Sequence, residues 1–124
     1  MLFRDMELDF DIFDADTAEA YEEAVQDTKA MAVKKEGEAL GACIRRQCGV
    51  VFTFFDALFG EGFHKELFGE RTNLLECVGT FREFIQAVDE QKKGLDTLVA
   101  EVEAERGAPN RAARRAAARV KGKD

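Results

Sequence analysis

The segment FFDALFGEGFHKELFG, Phe54 to Gly69, constrains the fold more than any other stretch of the chain. It holds five phenylalanines and two leucines, with glycines at 60, 62 and 69. Large rings on both sides of paired glycines require a short helix, a sharp turn and a second short apolar element returning onto the first. No catalytic geometry needs that pattern. A small domain that must bury rings, or offer them to a partner, does need it. The whole chain has eleven Phe, one Tyr and no Trp in 124 residues, a heavy ring load for one domain of that size. Some rings are therefore expected at the surface, where contiguous apolar groups mark an interface. The candidates are Phe52, Phe54, Phe55, Phe59, Phe63 and Phe68. The competing reading is that rings at helical spacing are core, which moves the partner surface to another helix.

Around this segment the chain reads as mainly α, a small domain of three to four helices with a short N-terminal β-strand and a basic, mobile C-terminal tail. Residues 6–13, MELDFDIF, alternate with period 2, placing Leu8, Phe10 and Ile12 on one side and acids on the other. That strand must satisfy its ladder groups by pairing with the chain near Leu2–Arg4 or with a second subunit. Leu8, Phe10 and Ile12 are thus candidates for self-association. Asp14 or Asp16 caps a helix from Thr17 to about Lys34, with Glu19 completing a capping-box-like pair with Asp16. Ala18, Tyr21, Val25, Thr28 and Ala32 form its weakly apolar face.

A second helix is expected from Glu38 to Phe59, with Leu40, Ile44, Cys48, Val51, Phe55 and Phe59 in a stripe. Its second half is apolar almost all round, the mark of a central or interface helix. One helical turn, His64 to Phe68, follows the glycines. The last long helix starts near Asn73 and reaches Arg106. Leu74, Val78, Phe81, Ile85, Val88, Leu95, Val99 and Val102 give it a heptad register with Lys92 as its polar position. Gly94 is expected to kink or break it, and Asp89 and Lys93 to pair across one turn. Gly107 and Pro109 end it. The domain boundary therefore falls between residues 1–106, the helical domain, and residues 107–124, the tail.

Charge is distributed unevenly. Residues 1–27 hold one base, Arg4, against ten acids, whereas residues 107–124 hold six bases against Asp124, within a net charge of −7. Such polarity suits contact between copies, a basic and an acidic partner at opposite ends, or solubility alone. Arg111, Arg114, Arg115 and Arg119 make the tail basic, and Arg111, Arg115 and Arg119 share a helical face. That tail is the one nucleic-acid candidate, but no aromatic residue is interleaved and the body is acidic. Docking on an acidic protein surface suits it better.

The residues for chemistry are few. His64 is the only histidine and the chain has no serine, so a Ser-His-Asp triad cannot be assembled. Cys43 and Cys48 lie about 140° apart round a helix and do not face one ligand. Gly60-Glu61-Gly62 follows a helix rather than a strand, and Glu61 repels phosphate. The chain reads as a non-enzyme without cofactor or metal. Its acidic N-terminus lacks the order of a signal peptide, and its uncharged run Gln47–Phe55 is too short to span a bilayer. A cytosolic protein with reduced, buried thiols and no membrane is expected.

FFDALFGEGFHKELFG, followed by Asn73, Cys77 and the aromatic helix FREFI, resembles the tail assembly chaperones of long-tailed phages and prophages. The acidic start DFDIFDADTAEAYEEA looks like their N-terminus, and PNRAARRAAAR is similar to their ending. The resemblance covers most of the chain, and FFD-x-x-FG-x-G is its most specific part. It implies a helical, self-associating protein of the host cytoplasm, absent from the finished virion. Such proteins coat the tape-measure protein, keep it soluble and help recruit tail-tube subunits. Two other readings stay open. One is an acidic adaptor or inhibitor that imitates DNA; the other is a basic-tailed nucleic-acid binder.

Overall fold

A computed structural model describes residues 1–107. It is mainly helical: a two-strand hairpin is followed by four helices, α1 (Ala15–Met31), α2 (Leu40–Phe59), α3 (His64–Phe68) and α4 (Leu74–Gly107). Residues 1–88 form one compact unit, and the chain from Asp89 onward forms a second. The sequence places the boundary after residue 106. Burial stops earlier, because Val88 is the last fully buried apolar side chain along α4.

The hairpin is shorter than the strand expected over residues 6–13. β1 (Leu2–Phe3) pairs antiparallel with β2 (Met6–Glu7), with Leu2 opposite Glu7 and Phe3 opposite Met6. Arg4 and Asp5 both take positive φ, 49° and 66°, which matches the right-handed twist of a two-residue hairpin turn. Arg4 is then held by a bidentate ion pair, its Nε and Nη2 donating to Glu83 of α4 at 3.0 and 2.7 Å. Of the two ways of satisfying the strand, pairing with the chain near Leu2–Arg4 is the one found. Leu8, Phe10 and Ile12 share a side as the alternation required, and that side is buried in the core.

Asp14 is the N-cap of α1, and its carboxylate accepts a hydrogen bond from the Thr17 hydroxyl at 3.2 Å. The Asp16–Glu19 capping box does not form, because Asp16 already lies inside the helix. Tyr21, Ala24 and Thr28 are the buried face, one position round from part of the expected one. The helix stops at Met31, short of Lys34. There Arg46 Nη1 and Gln47 Nε2 of α2 donate to the Met31 and Ala32 carbonyls at 3.4 Å each, satisfying groups left open by the helix end. Arg46 also pairs with Glu38 at 2.8 Å, an arrangement that raises the guanidinium pKa and lowers that of the carboxyl.

α2 starts at Leu40 rather than Glu38, and Leu40 is 77% exposed instead of leading the buried stripe. Its inner side is Cys48, Val51, Phe54 and Phe55. α4 begins at the expected cap, with the Glu76 amide donating to Asn73 Oδ1 at 3.0 Å. Between Leu74 and Val88 its buried positions are Cys77, Thr80, Phe84 and Val88. The heptad positions Phe81 and Ile85 pack only at the edge, and Val78 is exposed. The helix runs through Gly94 without a break. Lys93 pairs with Glu90 at 2.8 Å rather than with Asp89.

Candidate functional site

Phe54 to Gly69 folds as a helix end, a turn and a returning helical turn. The chain leaves α2 at Gly60, where φ is 110°, and turns again at Gly62, where φ is 85°. Residues other than glycine rarely adopt such angles, so these two positions fix where the helix stops. Asp56 ties the turn together. Its carboxylate accepts the Gly62 amide at 3.2 Å, the His64 amide at 2.9 Å and His64 Nδ1 at 2.9 Å. Burial pushes the Asp56 carboxyl upward, but the His64 amide and ring, with the Gly62 amide, together hold it below the ordinary carboxylate value. His64 is a bracing group in a turn, stacked on Phe52 with ring centroids 4.4 Å apart.

The rings turn inward. Phe84 of α4 is fully buried at their centre, with Phe3, Phe10, Phe54, Phe55 and Phe59 at 5.3 to 5.9 Å, mostly edge-to-face. Of the six candidate partner-binding rings, Phe54, Phe55 and Phe68 are core and have no surface to offer. Phe52, Phe59 and Phe63 are half-buried and pack against that core. The Phe59 and Phe63 rings lie 4.7 Å apart and so brace each other. The candidates for self-association, Leu8, Phe10 and Ile12, are also core. Pairing through their side chains is therefore corrected: three buried residues present no face to a second subunit. The basic residues Arg111, Arg114, Arg115 and Arg119 lie outside the described residues.

The cysteines are free thiols. Cys48 and Cys77 are buried, while Cys43 is only half-buried. The Cys77 thiol is pushed up to about 12, by burial first and then by neighbouring Cys48. It is a packing group rather than a nucleophile. No cluster of three or more His, Cys, Asp or Glu among the described residues could hold a metal ion. No helix among the described residues is long and apolar enough to cross a membrane.

Apolar surface stays open elsewhere. Past Asp89 no described side chain of α4 is fully buried. Leu95, Leu98, Val99 and Val102 stand there 39, 48, 48 and 57% exposed. Their spacing of three, four and seven residues puts them on one helix face, an unpartnered stripe about two turns long. Leu95, Val99 and Val102 are legible in the sequence as heptad positions. Leu98 escapes that reading because it sits beside the strict heptad seam, although its i,i+4 relation to Val102 is an available signal. Acids flank the stripe: Asp96, Glu101, Glu103 and Glu105 are all exposed.

These features define a small, mainly helical protein with a ring-filled core and an open amphipathic helix face. Within that class the chain belongs to a family of unknown function, DUF6673, whose model matches residues 4–118. No curated protein and no solved structure matches it.

Proposed function

We propose that this chain is a tail assembly chaperone of long-tailed phages and prophages, acting in the host cytoplasm. It binds the tape-measure protein, keeps it soluble and helps bring tail-tube subunits to it. Its client, a long apolar helix, lies along the Leu95–Leu98–Val99–Val102 face of α4. One observation carries this assignment of surface. With the rings of Phe54, Phe55 and Phe68 committed to the core, that stripe is a continuous helical apolar face still open to solvent. An apolar helix face recognises another by side chains spaced three and four residues apart. The acids on both flanks keep a coated client dispersed, because coats of like charge repel one another. The resemblance of FFDALFGEGFHKELFG and its flanking motifs supplies the identity of the client; the stripe supplies a place for it.

Co-expression with the cognate tape-measure protein tests the reading. The client is expected in the soluble fraction with the native chain and in the pellet with Leu98→Glu/Val99→Glu. Both substituted positions are exposed, so the far-UV dichroism of that variant should match the parent. A client that stays insoluble with the native chain overturns the function. A client rescued equally by the variant overturns the surface.

A further inference from the structure

We propose that, in the client-free protein, the stripe is covered by the same stripe of a second copy, with the two α4 segments antiparallel. The inference rests on the reading of this face as a helix-binding surface and names its occupant when no client is present. Charge placement around the stripe carries the argument. Lys92 and Glu103 are eleven residues apart, close to three full turns, so they lie on the same flank of the helix. Neither has an ion-pair partner among the described residues. Glu101 stands on the opposite flank.

Two helices packed antiparallel about a two-fold axis bring like flanks together with their order reversed. Centred between Thr97 and Leu98, this arrangement sets Lys92 of each copy against Glu103 of the other. Both ends of the seam are then complementary. It also sets Leu95 among Val99 and Val102 of the second copy and Leu98 against its own equivalent. In a parallel pair, unlike flanks meet at equal height. Glu103 would then face the second copy's Glu101, acid against acid, with no base at that level. The sequence therefore disfavours one polarity and favours the other. Exposed Lys–Glu pairs add little affinity, so they select orientation while the apolar seam supplies attraction.

A seam of four side chains per copy is much smaller than the interface of a permanent dimer. The pair is accordingly weak and reversible, which lets a longer apolar helix displace it.

Sedimentation velocity on the full chain, from about 5 to about 500 µM, tests this. The native chain should move from monomer toward dimer over that range. Leu98→Glu/Val99→Glu should stay monomeric with unchanged dichroism. Lys92→Glu should shift the transition to higher concentration, as should Glu103→Lys. The double variant Lys92→Glu/Glu103→Lys should restore it, since the pair is then re-formed with its signs exchanged. A native chain that is monomeric throughout overturns the proposal. So does a dimer indifferent to the stripe substitutions. A double variant no better than either single one overturns the antiparallel arrangement. These measurements contain no client: a monomeric chain that still solubilises the tape-measure protein fails only here, and a dimer that does not solubilise it fails only the proposed function.

Discussion

Asp56 holds the turn on which the ring core depends, and its chemistry makes that turn sensitive to acid. Three donors converge on one carboxylate, two of them backbone amides that would otherwise be left open at the turn. The Asp56 carboxyl is held below its ordinary value in the folded protein. Its contribution to stability is therefore fully present above the unfolded-state pKa and is lost as pH falls through the folded one. Asp56→Asn should cost about 1–3 kcal/mol near neutrality, since a charged acceptor is replaced by a neutral amide that accepts at only one end. Thermal melts of both proteins should show a gap at pH 7 that closes as pH falls below about 4, the usual carboxylate range. A gap that stays constant into acid would mean that the charge is not what secures the turn. The glycines announce this turn in the sequence, and α3 falls where they place it. The role of Asp56 is not legible there. Its partners lie six and eight residues ahead and become neighbours only once Gly60 and Gly62 have reversed the chain.

Along α4, legibility changes at Val88. Between Leu74 and Val88 the helix carries Leu74, Leu75, Cys77, Val78, Phe81, Phe84, Ile85 and Val88, which occupy most of its circumference. Periodicity then cannot choose a face, and the ring partners decide it: Cys77, Thr80 and Phe84 turn inward while Leu75 is 86% exposed. The apolar load of α2 hides Phe54 behind the Val51–Phe55 stripe for the same reason. Beyond Val88 a single apolar face remains, so the heptad spacing alone identifies most of the stripe. Gly94 lies in that second stretch, exposed and within continuous helix, where it lowers helix propensity without supplying a turn. Gly94→Ala should raise helical ellipticity at 222 nm and stabilise this stretch by up to about 1 kcal/mol. A fall in ellipticity would show instead that the helix needs glycine at this point.

At the scale of the whole molecule, stability is unevenly divided between the two units. The buried rings, the hairpin and the Arg4–Glu83 pair all belong to residues 1–88. The described part of the second unit is one stretch of helix, and helices without tertiary burial are only marginally stable in water. Its local support is modest: the exposed Lys93–Glu90 pair and a Thr97 hydroxyl donating to the Lys93 carbonyl at 3.4 Å. Opening of residues 95–105 should therefore need far less free energy than opening of residues 77–88, although one helix contains both. Amide hydrogen exchange on dilute protein should find strong protection at Phe84 and Val88. It should fall steeply beyond Asp89 and approach that of unstructured chain near Val102. Raising the protein concentration should slow exchange selectively over residues 92–103, where a second copy would cover the helix, and leave the ring core unchanged. Uniform protection from Leu74 to Glu105 in dilute solution would contradict this division. It would mean that the stripe is already covered within one chain, which would remove the basis for receiving either a client or a second copy on that face.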